Sequence, residues 1–111
     1  MFTREDAIIT VKLFTDKILE KGIPLDKVIL FGSYANNNQR EFSDIDVALV
    51  SNVFSGFGFD DRRFFSRINN EINFIDIEPQ TYSTEYFEKG DPFINEIIKT
   101  GIEIYNSNSK S

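Results

Sequence analysis

Asp44 and Asp46 open an apolar run, Val47-Ala48-Leu49-Val50, and upstream of them the dipeptide Gly32-Ser33 closes another, Val28-Ile29-Leu30-Phe31. Side chains two apart on a strand share a face, so the two carboxylates are set side by side while Ile45, Val47 and Leu49 face the other way. Two like charges about 4 Å apart repel by about 1 kcal/mol in water and about 4 kcal/mol near a protein surface, so the pair calls for a cation. With oxygen ligands only, the expected cation is Mg2+, which takes one or two carboxylates together with water and phosphate oxygens. Two such ions can clamp both sides of an in-line phosphoryl displacement.

The Gly-Ser pair meets the other need of that chemistry, a seat for phosphates. A tight turn at Gly32 leading into a short helix, about Ser33 to Asn37, would aim backbone N–H groups outward and let a phosphate approach the main chain, with the Ser33 hydroxyl as a further donor. A third acid follows in Phe74-Ile75-Asp76-Ile77-Glu78, whose alternation sets Asp76 opposite Ile75 and Ile77. Glu78 shares the Asp76 face, but Pro79 is expected to end the ladder there, which marks Glu78 as a solvated edge acid. A Gly-Ser dipeptide or an Asp-x-Asp alone is commonplace. In the order strand, turn, helix, strand, with a third strand acid beyond, they specify a site.

On Phe31-Gly32-Ser33-Tyr34-Ala35, Ser43-Asp44-Ile45-Asp46-Val47 and Ile75-Asp76-Ile77, the chain resembles the minimal nucleotidyltransferases of the DNA polymerase beta-like superfamily, over about residues 25 to 105. The resemblance implies transfer of a nucleoside monophosphate, AMP from ATP, to an acceptor hydroxyl with release of pyrophosphate. Carried over by position, Gly32 and Ser33 hold the β and γ phosphates and Asp44 and Asp46 bind two Mg2+ ions. Asp76 joins the catalytic metal and helps to deprotonate the acceptor. Where family members often carry glycine or a basic residue after the Gly-Ser motif, this chain has Asn36-Asn37-Asn38. Small members of the family resemble the antitoxin half of two-gene modules, which implies a HEPN-domain toxin as partner and a tyrosine of that toxin as acceptor. The alternatives are a transferase for a small hydroxylated molecule such as an aminoglycoside, whose enzymes generally carry an extra domain, and an antitoxin that binds without catalysis.

The elements that must position these residues are short. Thr3 with Asp6 reads as a helix start, and Ala7, Val11, Phe14 and Ile18 follow one stripe to Gly22. Strands are expected at about Lys27 to Phe31, Asp44 to Val50 and Asn73 to Glu78. Asp60 is expected to cap a helix to about Asn70 with Phe64, Ile68 and Ile72 inward. Ser83 caps a short helix to Lys89. Asp91-Pro92 starts another, with Phe93, Ile94, Ile97 and Ile98 inward, which Gly101 stops. Ile102 to Tyr105 adds an edge strand. The fold class is α/β (α+β), a small mixed sheet of about three to four strands flanked by helices, as one domain over 1–105 with a polar tail over 106–111. Phe54, Phe57, Phe59, Phe64 and Phe65 cluster around Gly56 and Gly58, either as a docking surface or lid or as added core.

Composition narrows the chemistry further. With no cysteine and no histidine among 111 residues, thiol nucleophiles, disulfides and imidazole bases are excluded, so catalysis must rest on carboxylates. Eighteen acids against twelve bases give a net charge of −6, which argues against unassisted binding of a long nucleic acid. No Gly-x-x-x-x-Gly-Lys-Ser/Thr or Gly-x-Gly-x-x-Gly motif is present. Arg40 is the preferred basic contact for a triphosphate, ahead of Arg62, Arg63 and Arg67. The chain reads as cytoplasmic with no membrane segment, and its small size implies a partner and leaves an oligomer open.

Overall fold

The protein is described here by a computed structural model covering residues 2–41 and 43–108. Helix α1 spans Arg4–Glu20. It starts where the sequence places it, because Asp6 N donates to Thr3 Oγ1 at 3.1 Å and Thr3 N donates back to Asp6 Oδ2 at 2.9 Å. Strands β1 (Lys27–Phe31), β2 (Ile45–Ser51), β3 (Ile77–Ser83) and β4 (Ile102–Asn106) form one mixed sheet in the order β3-β2-β1-β4. β1 pairs antiparallel with β2 and β4, whereas β2 and β3 run parallel. The expected α/β class, strand number and flanking helices are thus observed.

Both faces of the sheet are covered, which is why β1 and β2 are apolar at nearly every position. On one face Val28, Leu30, Ile45, Val47, Leu49 and Ile77 pack with Ala7, Val11, Phe14 and Ile18 of α1. On the other, Ile29, Ala48 and Val50 pack with Phe87 of α4 (Thr84–Lys89) and with Ile94 and Ile97 of α5 (Pro92–Thr100). Ser83 caps α4 and Asp91 caps α5 with proline in the first turn, and both were legible in the sequence. Phe93 and Ile98, expected inward, are mostly exposed, since the buried stripe of so short a helix is only Ile94 and Ile97 wide. No helix among the described residues is long and apolar enough to cross a membrane.

Three expectations fail for identifiable reasons. The helix expected from Asp60 to Asn70 is broken into α2 (Gly58–Asp61), a 3-10 turn (Arg62–Phe64) and α3 (Ser66–Asn69). Adjacent residues point to different sides of a helix, yet Phe64 and Phe65 both pack on Phe54, with ring centroids 5.8 and 6.0 Å away. The chain therefore kinks at Phe65, and Ile72 is left 85 % exposed instead of inward. β3 also begins at Ile77, not Asn73, because burial of Phe74 bends the preceding segment into turns closed by Phe74 N to Glu71 O (2.9 Å) and Ile77 N to Phe74 O (3.0 Å). Pro79 does not end the ladder but sits inside β3 opposite Val47, tolerated because an edge strand leaves one side unpaired.

The phenylalanine segment divides. Phe54 and Phe65 are core, while Phe57 and Phe59 are 71 % and 91 % exposed. What holds the loop is Asp61, only 2 % exposed. Its carboxylate accepts from the backbone N–H groups of Ser55 (2.8 Å) and Gly56 (2.9 Å) and from the hydroxyls of Ser55 (3.1 Å) and Thr81 (2.7 Å), tying the loop to β3. Burial works to raise its pKa, but these bonds outweigh burial and hold it below the usual carboxylate range. That contribution to stability is present above the unfolded carboxylate pKa and fades as pH falls through the lower folded value. Asp61→Ala leaves the buried Thr81 hydroxyl without its acceptor, at about 1–3 kcal/mol, and frees the Ser55 and Gly56 N–H groups of the loop. A lowered melting temperature at pH 7, with the difference from wild type shrinking in acid, is the expected result in a thermal-melt series.

Candidate active site

Asp46 lies in β2 with two register neighbours, Phe31 of β1 on one side and Glu78 of β3 on the other. Side chains at 46, 48 and 50 share the face covered by α4 and α5, but that apolar cover reaches only Ala48, Val50, Ile29 and Phe31. The acids therefore emerge just where the cover ends. Phe31 marks the boundary, meeting Phe93 of α5 edge to face at 5.9 Å. Asp44, one residue before β2, is exposed, and Asp46 is half-buried. Burial raises the Asp46 pKa, and the Asp44 and Glu78 carboxylates raise it further.

Gly32 lies close to that carboxylate. Its φ of +77° lies in the left-handed region, and an added Cβ would overlap Asp46 Oδ2 and stand 3.1 Å from its Cγ. Glycine is required here both by the turn and by the acid beneath it. Beyond it, the helix expected over Ser33 to Asn37 is a single turn. Asn36 N bonds Gly32 O at 3.1 Å, Asn38 N bonds Ser33 O at 2.9 Å, and Asn37 N bonds Tyr34 O at 3.2 Å. The last two bonds, with Asn37 at φ +57°, form a Schellman stop. The asparagine run thus has a backbone role: Asn37 takes the left-handed position that such a stop usually gives to glycine. So short a turn has little dipole, and whatever anion binding it offers must come from single N–H groups and the Ser33 hydroxyl. The turn's own bonds use the N–H groups of Asn36, Asn37 and Asn38 and leave those of Ser33, Tyr34 and Ala35 outside them.

Asp76 is exposed and lies in the turn before β3. It precedes the first paired residue of β3, holds β2 through Ile45 N to Asp76 O at 2.9 Å, and lines a cleft with Phe2, Tyr34, Ser43 and Ile45. Burial raises the Tyr34 phenol pKa, with Asp76 and Asp6 adding to the shift. The structure therefore brings Gly32, Asp46 and Asp44 together, sets Ser33 beside them in the same turn, and adds Glu78. Glu78 was discounted in the sequence because Pro79 was expected to end the strand. The signal that finds it is spacing: Glu78 stands two residues after Asp76 as Asp46 stands two after Asp44.

Among the described residues, no three carboxylate, imidazole or thiol groups close around one ion position. The backbone brings the acids together, and rotation of exposed side chains is left to close the set, a step that like charges oppose until a cation offsets them. A divalent cation fits the donors present. They are all oxygen, and one of them, Asp46 Oδ2, occupies the place a side chain at position 32 would take, so the glycine leaves that carboxylate free of main-chain overlap. Arg40 is exposed, its N–H donating to Ser43 Oγ at 2.8 Å in the turn that leads to Asp44. Arg63 lies over the Phe64 ring at 4.9 Å.

A family model described as "Polymerase beta, Nucleotidyltransferase" matches residues 15–110. Among solved structures, the fold is similar to that of a candidate nucleotidyltransferase from Sulfolobus solfataricus, with TM-score 0.70 and 17% identity over 96% of this chain and 86% of that one. It is also similar to a chain of a toxin-antitoxin structure with AMP-PNP, with TM-score 0.58 and 18% identity over 86% of this chain and 73% of that one. A third similarity is to a chain of the toxin-antitoxin pair MntA-HpeT carrying two aspartate-to-glutamate changes, with TM-score 0.55, 15% identity and the same two coverages, 86% and 73%. No curated protein matches the chain.

Two outcomes follow from the Asp46 environment. Gly32→Ala forces an L-residue into left-handed backbone, at about 1–2 kcal/mol before the overlap with Asp46 is counted. A lowered melting temperature together with loss of any ATP–Mg2+ thermal shift is expected. Asp46 has a raised folded pKa, so its charge costs stability that grows as pH rises from the unfolded carboxylate value through the folded one. Asp46→Asn should therefore melt higher than wild type at pH 7 without divalent ions and lose that advantage in acid. A mutant that melts lower than wild type at every pH would contradict this account.

Proposed function

From a chain that belongs to the polymerase beta, nucleotidyltransferase family, we propose that this protein transfers AMP from ATP to an acceptor hydroxyl. The observation that carries the reading is the half-buried Asp46 carboxylate, set beside Asp44 and close against Gly32 at the end of an otherwise apolar sheet. Burial of charge at that point costs stability and is explained by a bound cation. The family's chemistry gives that cation a task.

In the reaction the acceptor oxygen bonds to the α-phosphorus, the bond from that phosphorus to the bridging oxygen of the β-phosphate breaks, and pyrophosphate leaves with the electron pair. Mg2+ supplies polarisation of the phosphoryl oxygens and neutralises the charge that develops on them. Asp44 and Asp46 are the residues to hold it. Gly32 lets the β and γ phosphates come close to the turn, where Ser33 donates its hydroxyl. A third carboxylate beside these two takes the acceptor proton directly or through water; the family resemblance implies Asp76 for that part, while the register of β3 sets Glu78 beside Asp46. Positioning and charge stabilisation carry the rate, so each acid is worth orders of magnitude.

The acceptor we propose is a tyrosine of a HEPN-domain toxin, with this chain as its antitoxin in the cytoplasm. Support comes from the sequence resemblance and from the similar fold of chains in toxin-antitoxin structures, one of them with AMP-PNP, an ATP analogue. The exposed Phe57 and Phe59 offer such a partner an apolar contact. Incubation of the toxin with this protein, Mg2+ and α-labelled ATP tests the proposal. Label and a one-nucleotide mass increment on a tyrosine peptide are expected, and Asp44→Asn should lower labelling at least about a hundredfold. Full inhibition of the toxin with no label, unchanged in Asp44→Asn, would instead mark a protein that acts by occlusion.

A further inference from the structure

We infer that Glu78, and not Asp76, is the third carboxylate of the metal-binding set; the assignment rests on the transferase reading above. β2 and β3 pair with Ile45 opposite Ile77 and Asp46 opposite Glu78. Register partners on neighbouring parallel strands are about 4.8 Å apart and project to the same face. Glu78 therefore leaves the sheet beside Asp46. Ile77 is buried on the α1 side together with Ile45 and Val47, and this settles the parity of β3. Turning Glu78 to the other face would expose Ile77 and bury a charge.

No such constraint acts on Asp76. It lies ahead of the first paired residue, inside the turn closed by Ile77 N to Phe74 O, so strand alternation does not direct its side chain. It lines a cleft with Tyr34 and Ile45, and both belong to the core on the α1 side. Asp46 belongs to the opposite side. Glu78 also has what a ligand needs. It is exposed, none of the hydrogen bonds or ion pairs among the described residues engages its carboxylate, and its extra methylene gives it reach over the sheet end toward Asp44. Asp76 keeps a structural part, since its carbonyl accepts the Ile45 N–H that joins β2 to β3.

Manganese is a direct probe of this assignment, because free Mn2+ is counted by its paramagnetic resonance signal with no turnover required. Titration of the full chain with Mn2+ in the presence of a non-hydrolysable ATP analogue is expected to show binding in wild type. Glu78→Gln should weaken it by about tenfold or more, at least the loss seen when outer-shell partners of a metal are removed. Asp76→Asn should bind as wild type does, and Glu78→Asp should recover most of what Glu78→Gln loses, which separates a ligand from a fold defect. Loss in Asp76→Asn with none in Glu78→Gln overturns the assignment, as does equal loss in both. A wild-type chain that binds no Mn2+ with the analogue overturns the transferase reading itself, so the two failures are distinguishable.

Discussion

A carboxylate held half out of water beside two others sets the conditions for the rest of this protein. Asp46 has Asp44 two residues before it, just ahead of the strand, and Glu78 across the parallel ladder, while the main chain of Gly32 lies against it. Each neighbour follows from that placement. Position 32 admits no side chain, β1 must turn sharply away after Phe31, and the apolar cover must stop before the acids begin. A protein concerned only with stability would put an apolar residue at position 46, because a buried charge without a partner costs more than it returns.

The cost is met by the rest of the sheet. On the α1 side apolar contacts run without a break from Val28 to Leu49, and on the other side α4 and α5 cover Ile29, Ala48 and Val50. Those contacts determine which residues pair, since a slip of one position would turn every buried side chain outward. The acid end of the same strands has no choice but to follow. Register set by packing at one end of the sheet thus fixes which carboxylates stand side by side at the other. The loop that carries the exposed Phe57 and Phe59 is tied to the same edge strand through Asp61 and Thr81, so it too is placed relative to the acids.

Much of this was legible in the residues. Thr3 with Asp6, Ser83, and Asp91 with Pro92 each gave a helix start, because a cap is a local bond between neighbours in sequence. The bounds of β1 and the approximate course of β2 and β4 followed from apolar runs ended by glycine or acid. The segment 58–83 was not legible to the same degree. Whether Phe64 and Phe65 continue a helix depends on Phe54 and Phe14, and whether Pro79 ends a strand depends on that strand lying at an edge. Asp61 looked like any helix-start acid, and only the approach of Thr81 makes it a buried clamp.

By itself the sequence determined the set of groups: carboxylate oxygens with no imidazole or thiol, two of them two residues apart, and a glycine turn at the end of the preceding strand. These are matters of residue type and short spacing, which any fold must respect. Tertiary structure decided which further acid stands beside Asp46. Asp76 and Glu78 are equivalent in an alternating pattern, and they separate only when β3 is laid against β2 with Ile77 opposite Ile45, because the burial of one isoleucine orients the carboxylate that follows it.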